Sequence, residues 1–162
     1  GYNNLKKSIL EFEKAKNEYK QVEQDTILKS VSSYYDLIFK NKSKNFNLAN
    51  VDLFERQVES DRSRLQKGEI SLTDLAQSES SLAGAQAAFI KADSEYISAL
   101  AEFERINRIS APKDLNDNYD VSFLMPQSLK EALELSNSNN PSLAIARINL
   151  AISEKELNVE NL

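Results

Sequence analysis

The sequence predicts an all-α protein: a long antiparallel helical hairpin of coiled-coil character, followed by two shorter helices. Three observations predict it. Chain breakers are scarce, with glycine only at Gly1, Gly68 and Gly84 and proline only at Pro112, Pro126 and Pro141, so the first hundred residues are nearly free of them. An apolar residue recurs at every seventh position from Leu75 to Phe103. Between Arg64 and Asp74 a helix-stop pattern and a helix-start pattern lie side by side, which leaves room only for a tight turn.

The first helix is expected over about 4–67. Leu5, Ile9, Phe12, Tyr19 and Val22 follow helical spacing, and the stripe then shifts to Ile27, Val31, Tyr34 and Ile38. It weakens from Asn41 to Asn47 and resumes with Leu53, Phe54, Val58 and Leu65. At 1.5 Å per residue such a helix would span roughly 95 Å, so a partner helix or other chains must cover it. Its end is marked by Arg64 and Lys67 in the last turn and then Gly68, the residue best suited to a left-handed cap. The tip is placed at 68–71.

Ser71-Leu72-Thr73-Asp74 reads as a capping box opening a second helix over about 72–108. Leu75, Leu82, Phe89, Tyr96 and Phe103 form its packing seam, and the seven-residue repeat implies left-handed supercoiling against neighbours. One position further on run Ala76, Ala83, Ile90 and Ile97, with Ala85, Ala87, Ala88 and Ala92 nearby. This second stripe widens the contact face, as suits a helix in a wall of helices. An ordinary coiled coil explains the heptads equally well.

Residues 1–110 are thus the hairpin and 111–127 a polar linker whose run Val121-Ser122-Phe123-Leu124 is expected to dock on the hairpin. Residues 128–162 hold the two shorter helices. Ser128-Leu129-Lys130-Glu131 reads as another capping box, and Asn140-Pro141 as an N-cap with proline at the first helical position. Leu143, Ile145, Ile148 and Ile152 then continue to Leu162 without a stop signal. With Gly1 entering almost directly into helical pattern, the sequence reads as a segment of a longer chain.

Composition excludes several functions. The 162 residues, 41% hydrophobic and 28% charged, suit a folded, surface-rich protein. Histidine and cysteine are absent, so the usual zinc, haem and iron–sulfur ligand sets, disulfides and Ser–His or Cys–His nucleophiles cannot be built. The three glycines make no phosphate-binding loop. No catalytic, cofactor-binding or metal-binding residue is assigned, and no enzyme is expected. The net charge of -5 argues against a nucleic-acid partner, and Lys40, Lys42 and Lys44 read as a solvated helix face. No window has the apolar length of a transmembrane helix.

Three motifs carry a family resemblance: Arg64 to Leu75 around the tip, Ser33-Tyr34-Tyr35-Asp36-Leu37 in the first helix, and Ser128 to Leu133 followed by Asn139 to Leu143. In this order and separation they resemble the TolC family of outer-membrane efflux proteins, over nearly the whole chain. The resemblance implies the helical hairpin of the family's first half and the start of its second, with membrane strands lying outside this sequence. It implies a homotrimer whose helices form a periplasmic α-barrel, an exit duct for efflux or type I secretion. The duct would work with a periplasmic adaptor (a membrane fusion protein) and an inner-membrane pump, in the envelope of a Gram-negative cell. Arg64, Gly68, Ser71, Thr73 and Asp74 would lie at the adaptor contact and help close the entrance. Asp74 has a second reading as the capping residue of its own helix. Charged residues such as Glu79, Lys91 and Asp93 would face periplasm or lumen. A soluble coiled-coil scaffold or self-association module is the alternative.

Overall fold

The computed structural model describes residues 2–160, with side chains described from 4 to 157. Over them the protein is all-α, with no strand among the described residues. Helix α1 is Tyr2–Gln66, α2 is Leu72–Asn107, α3 is Leu129–Asn139 and α4 is Pro141–Glu160; a single 3₁₀ turn covers Ser122–Leu124. Gly1 and the expected helix end at Leu162 lie outside the described residues. The chain forms two compact units, one of residues Lys29–Asp117 and one of the residues up to Leu28 with those from Asn118 onward. α1 contributes to both.

In the unit Lys29–Asp117, α1 and α2 run antiparallel, with Asp61 opposite Ser78, Lys44 opposite Asp93 and Ser30 opposite Asn107. A core of Leu37, Ala99 and Phe103 forms at the end away from the turn, with Tyr34, Tyr96, Leu100, Ala111 and Leu115 packed on it. Val58 and Leu75 are buried nearer the turn. On α2, Leu75 and Phe103 are buried, and Leu82, Phe89 and Tyr96 are half-buried. Three positions on from each lies a second buried or half-buried set: Ser78, Ala85, Ala92, Ala99 and Ile106. These two positions per seven residues are the seam of a helix pair. The stripe one position on from the first set points outward, with Ile90 and Ile97 more than half exposed.

On α1 the observed seam differs from the apolar stripe expected. Ser30, Ser33, Leu37, Lys40, Lys44, Asn47, Val51, Phe54, Val58, Asp61 and Leu65 are its buried and half-buried members at heptad spacing. Of the expected stripe, Ile38 and Val58 are buried and Tyr34, Phe54 and Leu65 half-buried, but Val31 and Leu53 are exposed. The reason is chemical: about half of this seam is polar, and Ser30, Ser33, Lys40, Lys44 and Asp61 pair with polar groups of α2, so hydrophobicity alone does not trace it.

Beyond α2 the chain turns at Arg108, whose φ of 57° is left-handed and whose N–H bonds to the Glu104 carbonyl at 2.9 Å. The chain after it folds back on the hairpin. Ala111 and Leu115 reach the core. The Tyr34 hydroxyl accepts from the Asn116 N–H at 2.9 Å and lies 3.1 Å from the Asn116 carbonyl, to which it donates. Val121, Phe123 and Leu124 are exposed.

In the other unit, Lys7 of α1 pairs with Glu156 of α4 at 2.7 Å. Leu5, Ile9, Phe12, Tyr19, Val22 and Ile27, expected as a covered stripe, are all exposed. Ser128 caps α3 by accepting from the Glu131 N–H at 3.2 Å. The Glu131 carboxylate passes the Ser128 amide that a capping box would use and accepts from the Gln127 N–H at 2.8 Å. Asn140 serves two helices: its N–H bonds to the Ser136 carbonyl at the end of α3, and its side chain accepts from the Ser142 N–H at 2.9 Å to open α4.

Candidate functional site

The turn between α1 and α2 is built from two local motifs. At its start Gly68, with φ of 73°, lets the Gly68 N–H reach the Leu65 carbonyl and the Glu69 N–H reach the Arg64 carbonyl, both at 2.9 Å. This pair of bonds is a Schellman motif and satisfies carbonyls that α1 leaves open. A Cβ at Gly68 would meet nothing within 4 Å, so glycine is needed there for conformation and not for space.

At its end Ser71 and Asp74 make a reciprocal capping box. The Asp74 N–H donates to the Ser71 hydroxyl oxygen at 3.2 Å, and the Ser71 N–H donates to the Asp74 carboxylate at 2.8 Å. The Ser71 hydroxyl also donates to that carboxylate at 2.7 Å. These bonds hold the Asp74 carboxyl below the usual carboxylate range. Asp74 therefore performs its capping role here. Thr73 is exposed between the two.

Arg64, half exposed, lies 3.5 Å from Asp61 on its own helix and 3.5 Å from Glu69 in the turn. Asp61 is buried on the seam, where its carboxylate accepts from the Gln57 amide at 3.0 Å and from the Ser78 hydroxyl of α2. Those two hydrogen bonds, with Arg64 behind them, lower its pKa. The structure thus brings Arg64, Ser71 and Asp74 into two linked networks at the tip and leaves Thr73 outside them. Asp61 and Ser78 were not marked by the sequence reading; an acid at a heptad seam position of α1 is the signal that identifies Asp61.

Along the hairpin several charged residues are paired. Lys40 bonds to Glu95 at 2.8 Å and Lys44 to Asp93 at 2.6 Å, each across the helix pair, while Lys42 pairs with Asp117. Arg62 pairs with Glu79 at 2.8 Å. The expectation that the three lysines form a solvated face is corrected for Lys40 and Lys44, which sit on the seam and meet acids of α2, whereas Lys42 is exposed; Asp93 turns to Lys44, while Glu79 and Lys91 are exposed. Their hydrogen bond raises the pKa of Lys40 and lowers that of Glu95. Further up, Asn107 accepts from the Ser30 hydroxyl and donates to that of Ser33 at 3.1 Å.

Outside the seam, a second apolar set stands uncovered. On α1, Phe39, Phe46 and Leu53 recur every seven residues and are each more than 60% exposed. On α2 the matching outward positions are Ile90 and Ile97. Among the described residues no helix is long and apolar enough to cross a membrane, and no group of three or more acidic side chains is arranged to hold a metal ion. In comparison with known proteins, a family model described as outer membrane efflux protein matches residues 2–106. None of the curated proteins matches the chain.

Proposed function

Since the chain belongs to the outer membrane efflux protein family, whose members are transport channels of the Gram-negative outer membrane and not enzymes, we propose that its hairpin is a wall stave of a periplasmic exit duct. Three copies of the parent protein would assemble the duct, α1 and α2 of each lying between neighbouring hairpins. The duct would serve efflux or type I secretion, with a periplasmic adaptor and an inner-membrane pump as partners. The tip residues Arg64, Gly68, Ser71, Thr73 and Asp74 would meet the adaptor and help hold the entrance closed.

The observation that carries this reading is the second apolar stripe. Phe39, Phe46 and Leu53 on α1 and Ile90 and Ile97 on α2 contribute nothing to the α1–α2 seam, yet they keep the heptad spacing of a packing surface. Burying one such side chain is worth about 1.5–3 kcal/mol, so a handful of them per face can hold neighbouring hairpins together. A duct wall needs two seams per helix; a lone hairpin needs one. A self-associating scaffold would cover the same stripe, and the test separates the two. The chain has no cysteine, so Phe46→Cys and Ile90→Cys each introduce a unique thiol. In the cell envelope, a short bismaleimide is expected to join copies of the Phe46→Cys, Ile90→Cys double variant into a trimer that co-purifies with outer membrane. Cross-linked dimers free of outer membrane would favour the scaffold. Thiols that react fully with a bulky maleimide in intact envelopes would refute both.

A further inference from the structure

Among the described residues Asp61 is the charged side chain that is buried, and it sits two turns before the tip. Burying a carboxylate is costly unless its oxygens are fully bonded. Its neighbours along the α1 seam, Val58 and Leu65, are apolar, so packing alone would be met by another aliphatic residue. What the carboxylate adds is a set of bonds that an aliphatic residue cannot make. It takes Gln57 of α1 and Ser78 of α2 at one oxygen, and its other oxygen lies 3.5 Å from Arg64.

Two consequences follow for the tip. The Ser78 hydroxyl has one proton, and two acceptors within reach: the Asp61 carboxylate and, at 3.3 Å, the Asp74 carbonyl one turn back on α2. The charged acceptor makes the stronger bond, so Asp61 draws the Ser78 side chain across the seam and fixes the rotation of the first turns of α2 against α1. Arg64 is held between Asp61 and Glu69, which ties the turn itself to the same buried anchor. Neither motif of the turn does this: the Schellman bonds belong to α1, and the capping box to α2.

We propose that Asp61, acting with Ser78 and Arg64, is a positioning residue that presents the tip surface around Gly68 and Thr73 in one orientation to the partner that docks there. The proposal rests on the tip contact put forward above, and its experiment keeps the two apart. A cysteine at Thr73, unique in this chain, carries first a nitroxide and then a photo-crosslinker. In the otherwise unchanged protein the nitroxide spectrum is expected to be broad. Asp61→Leu, which keeps an apolar seam and is expected to leave the thermal midpoint unlowered, should sharpen it. The same substitution should cut cross-linking to the periplasmic adaptor in cells about tenfold, as loss of a charged hydrogen bond implies. Asp61→Glu retains the carboxylate and should keep most of both signals, the reverse of what a purely packing role predicts. An Asp61→Leu protein with an unchanged spectrum and unchanged cross-linking overturns the proposal, as does an Asp61→Glu protein that behaves like Asp61→Leu. A sharpened spectrum without any cross-link, even when Asp61 is intact, supports the positioning role and refutes the tip contact instead.

Discussion

The two ends of the hairpin and its middle are held by different chemistry. Away from the turn, Leu37, Ala99 and Phe103 form an apolar core, capped by Tyr34 and by the chain returning through Ala111 and Leu115. Near the turn, Val58 and Leu75 are buried and two hydrogen-bonded motifs close the loop. Between them the seam is ionic: Lys40 faces Glu95, Lys44 faces Asp93, and Lys44 also lies 4.8 Å from the centre of the Tyr96 ring. Partly exposed ion pairs contribute little net stability. What they supply is selectivity, because two α1 helices laid together would set lysine against lysine. Stability thus sits at the ends and partner choice in the middle.

The largest expected effect tests the far end. Leu37→Ala removes the fully buried side chain of the core and should cost about 2–5 kcal/mol, measured by denaturant unfolding of the chain. A loss below that of an exposed site would mean that the end is not a core. Next comes the turn, through a pair of glycines with opposite signs. Gly68→Ala forces a side chain into a left-handed conformation and should cost about 1–2 kcal/mol. Gly84→Ala, in the middle of α2 with open space around it, should instead gain about 0.5–1 kcal/mol. Equal effects of the two would remove the conformational account of the tip.

The smallest effects are electrostatic and arise both in the ionic middle and at the turn. Glu95, Asp61 and Asp74 all have pKa values lowered in the fold, by Lys40, by Gln57 with Ser78, and by Ser71. Their stabilisation is therefore complete above the ordinary carboxylate range near pH 4 and is lost as pH falls through the lower folded values. Unfolding free energy should be flat from about pH 7 to pH 5 and decline below about pH 4. In amide exchange at neutral pH, high salt should speed the amides around Lys44 and Asp93 while leaving those around Leu37 and Phe103 unchanged. Uniform acceleration along α1 would erase the distinction between ends and middle.

What could be read from the sequence follows the same division. The turn was legible because Gly68, Ser71 and Asp74 act on residues next to them in the chain. The Leu75 to Phe103 repeat was legible because its members are apolar and evenly spaced. The α1 half of the seam was not, because Lys40, Lys44 and Asp61 occupy seam positions with polar side chains that bond to another helix. The Tyr34 to Asn116 clasp was hidden for a similar reason: the motif around Tyr34 was visible, but the backbone it holds is far along the chain. Lys40 and Lys44 show the error most plainly, since isolated charges on a helix read as solvated until the opposing acids are placed.

The central claim is that the hairpin carries one seam for itself and a second for its neighbours. Ile97→Lys tests it most directly, since Ile97 is more than half exposed and lies outside the α1–α2 seam. The account predicts that the substitution leaves the unfolding free energy of the isolated chain within about 0.5 kcal/mol and abolishes the cross-linked oligomer in the cell envelope. An oligomer formed in normal amount, or an isolated chain that unfolds, would contradict it.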